Sequence, residues 1–365
     1  MKILIAGGGT GGHFFSGVAC GEAFLTRNDD NRIVYVGTKN GIEARVGPKE
    51  GLDVRFITVS GIKGRGLVSR LMALAKLPLA LLQSIGLVLK ERPKIVIGVG
   101  GYASGPVLLA ARLLGRKTGI VEQNSVAGAT NKILGKIVHK VFVAFEPAAK
   151  EFPAHKVEIT GNPIREGVVQ LLTLESTGTV GVGHLRKLLV LGGSQGAHAI
   201  NVAMTEAVAG MPDALKERLH ITHQTGQADV DLVTKGYEAA GVKAKVVPFI
   251  QEMAEAYRFA DLVVCRAGAL TVSELAISRR GAILVPYPHA IYDHQTTNAK
   301  MLVDTGAGEL IKQDDLLAEG LREAITRLSD SGKELQRMAW NAGELARPQA
   351  AAEVVDTMYR LTGTP

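Results

Sequence analysis

Gly7-Gly8-Gly9-Thr10-Gly11-Gly12-His13, directly behind the apolar run Lys2-Ile3-Leu4-Ile5-Ala6, is the stretch on which the fold turns. A short unbroken apolar run suits a strand buried on both faces, and the glycines after it suit a tight turn into a helix. The same pattern recurs twice. Gly192-Gly193-Ser194-Gln195-Gly196-Ala197 follows Lys187-Leu188-Leu189-Val190-Leu191, and Arg266-Ala267-Gly268-Ala269-Leu270-Thr271-Val272-Ser273-Glu274 follows Asp261-Leu262-Val263-Val264-Cys265. Strand-to-helix turns of this kind lie at the carboxyl edge of a parallel sheet, where ligands bind, and the helix starts there favour anions.

Outward from these loops, strands are expected near residues 2–6, 32–37, 54–59, 94–99, 118–122, 139–144 and 156–160, with helical stretches between most of them. Asn162-Pro163 ends that alternation, and the run from Thr173 to His184 carries glycines without apolar periodicity. A second alternation starts at Lys187, about 185 residues after the first. Its strands fall near 187–191, 219–223, 244–249, 261–265, 282–285 and 308–311, and helical segments follow from about Leu316 to Leu361. The expected fold is α/β, with two Rossmann-like doubly wound parallel-sheet domains facing each other across a cleft. The expected boundaries are 1–163 and 164–345, with a C-terminal helix in 346–365 packing back on the first domain.

At 365 residues with 46% hydrophobic and 21% charged content, the chain exceeds what one core usually organises. Only Cys20 and Cys265 are present, which supports neither a disulfide framework nor a zinc site; core thiols in a reducing cytosol are expected. Lys2 runs straight into a strand and a glycine loop, so no secretory signal is read at this start.

The net charge of +7 points to an anionic partner. Much of it gathers between Ser60 and Lys94, where Lys63, Arg65, Arg70, Lys76, Lys90, Arg92 and Lys94 face the single acid Glu91 among many leucines. The longest uncharged run there, Leu77 to Leu89, is 13 residues. It falls well short of the ~20 apolar residues that span a bilayer. Such a segment can lie on an anionic membrane surface, or be an ordinary core helix beside a solvated basic loop. Nucleic acid is not expected, since no aromatic stacking pattern accompanies the charges.

Gly7, Gly9 and Gly12 match the dinucleotide pattern G-x-G-x-x-G, but that pattern wants an acid at the end of the second strand to hold a ribose. Here the strand Arg32–Gly37 runs into Thr38 and Lys39, which argues against a dehydrogenase. His13 is more informative. A helix N-terminus disfavours the protonated imidazole and leaves a neutral base suited to a sugar hydroxyl, although a histidine that merely packs the turn is the alternative. His139, His155 and His220 sit in or beside strands and read as structural.

Seven segments taken together resemble the MurG family of bacterial glycosyltransferases, which place N-acetylglucosamine on lipid I to make lipid II. They are Gly8–His13, Gly100-Gly101-Tyr102-Ala103-Ser104-Gly105-Pro106, Glu122-Gln123-Asn124, Gly161-Asn162-Pro163-Ile164-Arg165, Gly192–Ala197, Cys265–Glu274 and Asp293-His294-Gln295-Thr296-Thr297-Asn298-Ala299. The resemblance implies the B-type glycosyltransferase fold, UDP-N-acetylglucosamine mainly in the second domain and the lipid acceptor mainly in the first. It implies that Thr10, Gly11 and Gly12 line the donor–acceptor junction with His13 catalytic, that Asn124 meets the donor sugar, and that Arg165 and Ser194 serve the diphosphate. It further implies that Ile250 meets the uracil through its backbone, that Ala269, Leu270, Thr271, Val272, Ser273 and Glu274 hold phosphate and ribose, and that Gln295 contacts a sugar hydroxyl.

The family usually has proline where this chain has Ser16, and serine where it has Ala267. By the same resemblance the reaction is a single inverting displacement giving a β-1,4 link, with no cofactor and no metal. Asp229-Val230-Asp231 is formally the Asp-x-Asp of metal-dependent transferases but reads as a helix start. The setting implied is peptidoglycan synthesis, and through it cell shape and division. The protein would sit peripherally on the cytoplasmic face of the inner membrane, with other cell-wall synthesis proteins as further partners. The rival readings are an epimerase on UDP-N-acetylglucosamine, which needs cleft carboxylates, and a sugar-nucleotide binding protein without turnover.

Overall fold

The computed structural model describes residues 1–59, 76–175, 185–193 and 195–363. Lys63, Arg65, Arg70, Ser194 and most of the glycine-bearing run before Lys187 lie outside the described residues. The chain forms two compact units, Met1–Arg165 together with Pro348–Pro365, and Glu166–Arg347.

The first unit is built on seven strands: β1 (Lys2–Ala6), β2 (Arg32–Gly37), β3 (Val54–Phe56), β4 (Ile95–Gly98), β5 (Lys117–Glu122), β6 (Lys140–Val143) and β7 (Val157–Ile159). They pair in the order β3-β2-β1-β4-β5-β6-β7, every pair parallel. Successive side chains of β1 point to opposite faces and both faces are covered. Ile3 and Ile5 pack with Phe14, Val18 and Phe24 of the helix Gly11–Arg27, while Leu4 and Ala6 pack with Val88, Val107 and Leu108 from helices on the other side. That double burial explains why the strand reads as an unbroken apolar run.

The helix Ala350–Thr362 belongs to this first unit. Val354, Val355, Met358 and Tyr359 are buried against the same face as Phe24, whose ring stacks on Tyr359 at 6.0 Å. Arg27 meets Asp356 at 3.0 Å, and the buried Asn31 side-chain amide donates to the Tyr359 hydroxyl at 2.7 Å. Each such buried aliphatic side chain contributes about 1.5–3 kcal/mol relative to exposure, so this helix is held by packing more than by its exposed ion pair.

The second unit repeats the plan with β8 (Lys187–Leu191), β9 (His220–Gln224), β10 (Lys243–Val247), β11 (Leu262–Cys265), β12 (Gly281–Leu284) and β13 (Gly308–Leu310). Their order is β10-β9-β8-β11-β12-β13, again parallel throughout. In each unit the chain moves outward over three strands, then returns to lay the fourth on the other side of the first. The carboxyl ends of β1 and β4, and of β8 and β11, therefore flank the two topological switch points where doubly wound sheets bind ligands. All the glycine loops singled out in the sequence emerge there.

Candidate active site

In the first unit the loops after β1 and β4 interlock. A Cβ at Gly101 would lie 2.3 Å from the Gly8 carbonyl oxygen, and one at Gly100 would lie 2.6 Å from the His13 ring. Both glycines have left-handed φ, +87° and +80° for Gly100 and Gly101, so neither position accepts a side chain. The Ser104 hydroxyl ties the loops by donating within 2.7–2.8 Å of the carbonyls of Ala6 and Gly100. Thr10 occupies the N-cap position of the helix Gly11–Arg27 in extended conformation, with Gly11, Gly12 and His13 as the first three helical residues. His13 is half-buried against Gly100, and its Nδ1 lies 3.1 Å from Thr10 Oγ1.

The acid missing from the end of β2 is present six residues later. Glu43, in the short helix Ile42–Val46, is 1% exposed and reaches back under the first loop. Its Oε2 accepts the Gly9 N–H at 2.8 Å, and its Oε1 accepts the Thr38 N–H at 2.7 Å and the Thr38 hydroxyl at 3.1 Å. A Cβ on Gly8 would sit 2.3 Å from that carboxylate. Glu43 is a brace for the turn, in a place where a dinucleotide enzyme holds a ribose. Sequence reading missed it because it lies beyond a turn and not at the strand end.

A second buried carboxylate organises the loop after β5. Glu122, 1% exposed, accepts the N–H groups of Asn124 at 3.0 Å and Gly128 at 2.9 Å, and the side-chain amides of Asn124 at 3.3 Å and Asn131 at 2.9 Å. Asn124 is therefore held in place by Glu122. Gln123 donates to the Val99 carbonyl at 2.9 Å, and Asn162 donates to the Gln123 carbonyl at 3.2 Å, which draws the segments after β4, β5 and β7 together. Ser16 is fully buried with its hydroxyl 3.5 Å from the Gln123 amide, so the departure from proline places a polar group at this junction. Arg165 lies with its guanidinium 4.4 Å from the Phe15 ring, which brings it beside the helix start that carries His13.

In the second unit the loop after β8 interlocks with the loop after β9. A Cβ at Gly196 would lie 1.9 Å from the Thr225 carbonyl oxygen, and one at Gly226 would lie 2.3 Å from that of Gln195. Beneath them runs a buried polar chain. Asn201 donates to the Thr225 carbonyl at 2.9 Å and to Asp229 at 2.7 Å, His223 Nε2 lies 3.0 Å from Asn201 Oδ1, and His223 Nδ1 lies 2.9 Å from the Tyr237 hydroxyl. Burial pushes the His223 imidazole down to about 3, so it is neutral near pH 7. Burial opposes ionisation of Asp229, but the Asn201 amide and the His198 ring hold its carboxyl below the ordinary range. Asp229 is thus engaged with His198 and Asn201, while Asp231 opens the helix Val230–Ala239.

The loop after β11 leads through Gly268 into the helix Ala269–Ile277. The side chains of Ala269, Leu270 and Val272 are buried in the core, so their contribution to a ligand is confined to the backbone; Thr271 and Ser273 are half-buried. Ala267 is fully buried, its carbonyl accepting from Asn298 at 3.3 Å. Glu274 is 7% exposed and its Oε2 accepts the hydroxyl of the fully buried Tyr257 at 2.9 Å. Gln295 Oε1 accepts the Tyr287 N–H at 2.8 Å, and Ile250 donates its N–H to Gln224 Oε1 at 2.8 Å. Cys20 and Cys265 are buried, and burial pushes both thiols up to about 12, which removes them as nucleophiles.

The structure thus gathers Thr10, Gly11, Gly12, His13, Asn124 and Arg165 in the first unit. It gathers Ile250, Ala269–Glu274 and Gln295 in the second. Sequence comparison fits this division: residues 3–143 match the glycosyltransferase family 28 N-terminal domain, and residues 187–354 match its C-terminal domain. The chain belongs to glycosyltransferase family 28.

A relative from Myxococcus xanthus (strain DK1622) is 48% identical over 99% of this chain and 93% of its own length. It is named UDP-N-acetylglucosamine--N-acetylmuramyl-(pentapeptide) pyrophosphoryl-undecaprenol N-acetylglucosamine transferase. The crystal structure of Acinetobacter baumannii MurG superposes with a TM-score of 0.75 at 33% identity, covering 98% of this chain and 99% of that one. UDP-GlcNAc 2-epimerase from Neisseria meningitidis, bound to UDP-GlcNAc, gives a TM-score of 0.66 over 99% of this chain and 100% of its own. At 12% identity that likeness speaks to the fold alone.

Proposed function

We propose that this family 28 enzyme is an inverting transferase that moves N-acetylglucosamine from UDP-N-acetylglucosamine to the C4 hydroxyl of undecaprenyl-diphospho-N-acetylmuramoyl-pentapeptide, converting lipid I to lipid II. The observation that carries this reading is the 48% identity, over 99% of the chain, to a transferase named for that reaction. The acceptor oxygen attacks the anomeric carbon as the bond to the diphosphate oxygen breaks, inversion gives the β-1,4 link, and UDP departs with the electron pair. His13 takes the hydroxyl proton. Thr10 Oγ1, 3.1 Å from Nδ1, orients the ring, and in the tautomer that carries its proton on Nδ1 the proton-accepting nitrogen is Nε2. Arg165, Ser194 and the N–H groups at the start of the helix Ala269–Ile277 offset the charge that grows on the leaving diphosphate.

The donor's uracil meets the Ile250 backbone, and Glu274 and Gln295 read ribose and sugar hydroxyls, with Asn124 at the donor sugar. The buried carboxylates Glu43 and Glu122 spend their oxygens on backbone and amide N–H groups, which favours transfer over the elimination chemistry of an epimerase. The purified protein with labelled UDP-N-acetylglucosamine and a short-chain lipid I analogue is expected to yield the lipid-linked disaccharide. Release of UDP-N-acetylmannosamine, or no product at all, sinks the reading.

We further propose that the 60–94 region seats the protein peripherally on the anionic cytoplasmic face of the inner membrane. In its described part, the helix Leu77–Glu91 buries Ala80, Ser84 and Val88 and leaves Leu79, Leu82 and Leu89 at 47%, 67% and 52% exposure. Among the described residues no helix is long and apolar enough to cross a membrane. Co-sedimentation with anionic vesicles is expected to weaken in high salt and after charge reversal at Lys63, Arg65 and Arg70. Binding indifferent to both changes removes the electrostatic part of this proposal.

A further inference from the structure

Gln224 ends β9, the strand between β8 and β10, and its side chain is 4% exposed. Each end of its amide is used on a different neighbouring loop. Nε2 donates to the Gly193 carbonyl at 2.8 Å, in the glycine loop after β8. Oε1 accepts the Ile250 N–H at 2.8 Å, in the segment after β10. A carbonyl on one side and an N–H on the other, each in a part-buried bond, call for a donor and an acceptor at the tip of one side chain. Glutamine supplies both without charge, whereas a carboxylate would set an oxygen against the Gly193 carbonyl and add negative charge beside a loop suited to phosphate.

We infer that Gln224 is a positioning residue for the sugar-nucleotide donor. It couples the segment that meets the base to the loop that meets the diphosphate, so that the two halves of UDP are recognised at a fixed separation. This rests on the reading of Ile250 and the Gly192–Ala197 loop as the two ends of the UDP site. The coupling runs through two hydrogen bonds and a strand end, and it needs no contact between Gln224 and the ligand.

The test compares uridine and UDP binding, by calorimetry, to the full-length wild type, Gln224→Glu and Gln224→Met. In Gln224→Glu at pH 8 the bond to Ile250 survives and the one to Gly193 is lost. UDP binding is expected to weaken up to about tenfold, the upper scale of one hydrogen bond, while uridine binding changes by less than about threefold. A pH series from 8 down to 4 carries that carboxyl through its ordinary value of ~4.3; once protonated it supplies a donor and an acceptor as glutamine does, and, measured against the wild type at the same pH, the UDP deficit is expected to narrow. Gln224→Met, which cannot hold either loop, is expected to weaken both ligands, with the loss in turnover appearing mainly in the donor KM. Gln224→Glu that binds UDP like the wild type at pH 8, or a UDP deficit that acid does not relieve, overturns the coupling. Wild-type protein that binds neither UDP nor uridine overturns the donor reading beneath it.

Discussion

The glycine loops after β1 and β8 occupy equivalent places in sheets of the same strand order, yet opposite chemistry holds them. The first is braced by the buried carboxylate of Glu43 on the Gly9 N–H; the second is braced by the neutral amide of Gln224 on the Gly193 carbonyl. In both, glycine is required because something presses against the backbone, Glu43 on Gly8 and the Thr225 carbonyl on Gly196. The glycines therefore report crowding, and they look alike for that reason. The charge of the brace differs, and it sorts the ligands. A loop that already carries a carboxylate is a poor place for another anion and a good place for a base, whereas a loop braced without charge keeps its N–H groups for a diphosphate.

The largest expected effect tests the first half of this contrast. His13→Ala is expected to lower kcat by roughly 10²- to 10⁴-fold, the range of general acid–base catalysis, with UDP affinity changed by less than about threefold. Initial rates and calorimetry on the same preparation check it. A parallel fall in UDP affinity would show that the first loop also carries the donor, and the contrast would fail.

Next comes the brace. Glu43→Ala removes a 1%-exposed carboxylate and leaves the Gly9 N–H, the Thr38 N–H and the Thr38 hydroxyl, all in part-buried bonds, without it; the expected cost is about 1–3 kcal/mol of stability. Denaturant titration measures this, with UDP binding as the control that should survive at low denaturant. Unchanged stability would mean that solvent replaces the carboxylate, and that Glu43 is not what shapes the loop.

Acid should discriminate against the second unit. The folded value of His223, about 3, lies below the ~6.5 of an unfolded histidine, so between those limits the unfolded chain holds a proton that the folded chain lacks. Stability is present in full above pH ~6.5 and falls as the pH drops, by about 1.4 kcal/mol per pH unit for this one group. Denaturant midpoints at pH 7, 6 and 5 should fall more steeply for the wild type than for His223→Gln. Equal slopes would show that His223 takes up its proton without unfolding the network under the second loop.

Much of the architecture was legible in the sequence, because buried parallel strands are unbroken apolar runs and each glycine turn fixes where the next helix begins. His13 could be placed at the first turn of its helix for that reason. Glu43, Glu122 and Gln224 could not be assigned their roles. Glu43 and Gln224 work through side-chain bonds to backbone groups of distant segments, 34 residues apart for Glu43 and Gly9 and 26 for Gln224 and Ile250, and Glu122 through bonds within its own loop and the helix after it; neither kind leaves a periodic trace. Asn124 entered only through the family resemblance, and the carboxylate that orients it was no more than its neighbour in the same motif.

The smallest expected effect concerns Glu274, the residue on which the comparison of braces and ligand contacts turns in the third loop. Like Glu43 it is buried and bonded internally: its Oε2 accepts the Tyr257 hydroxyl at 2.9 Å, and the Tyr257 carbonyl accepts from Arg280 Nε at 2.6 Å. That arrangement suits a carboxylate oriented by a side chain from its own unit. Tyr257→Phe keeps the ring and removes one hydrogen bond to a charged acceptor, for an expected loss of about 1.5 kcal/mol, roughly tenfold in UDP affinity if the orientation serves the ligand. The deciding comparison is UDP against 2′-deoxy-UDP and 3′-deoxy-UDP. A wild-type preference for UDP that shrinks in Tyr257→Phe makes Glu274 a ribose contact positioned by Tyr257. A preference left intact beside a lowered melting temperature makes Glu274 a second Glu43, a brace inside the fold, and moves ribose recognition to the half-buried Thr271 and Ser273.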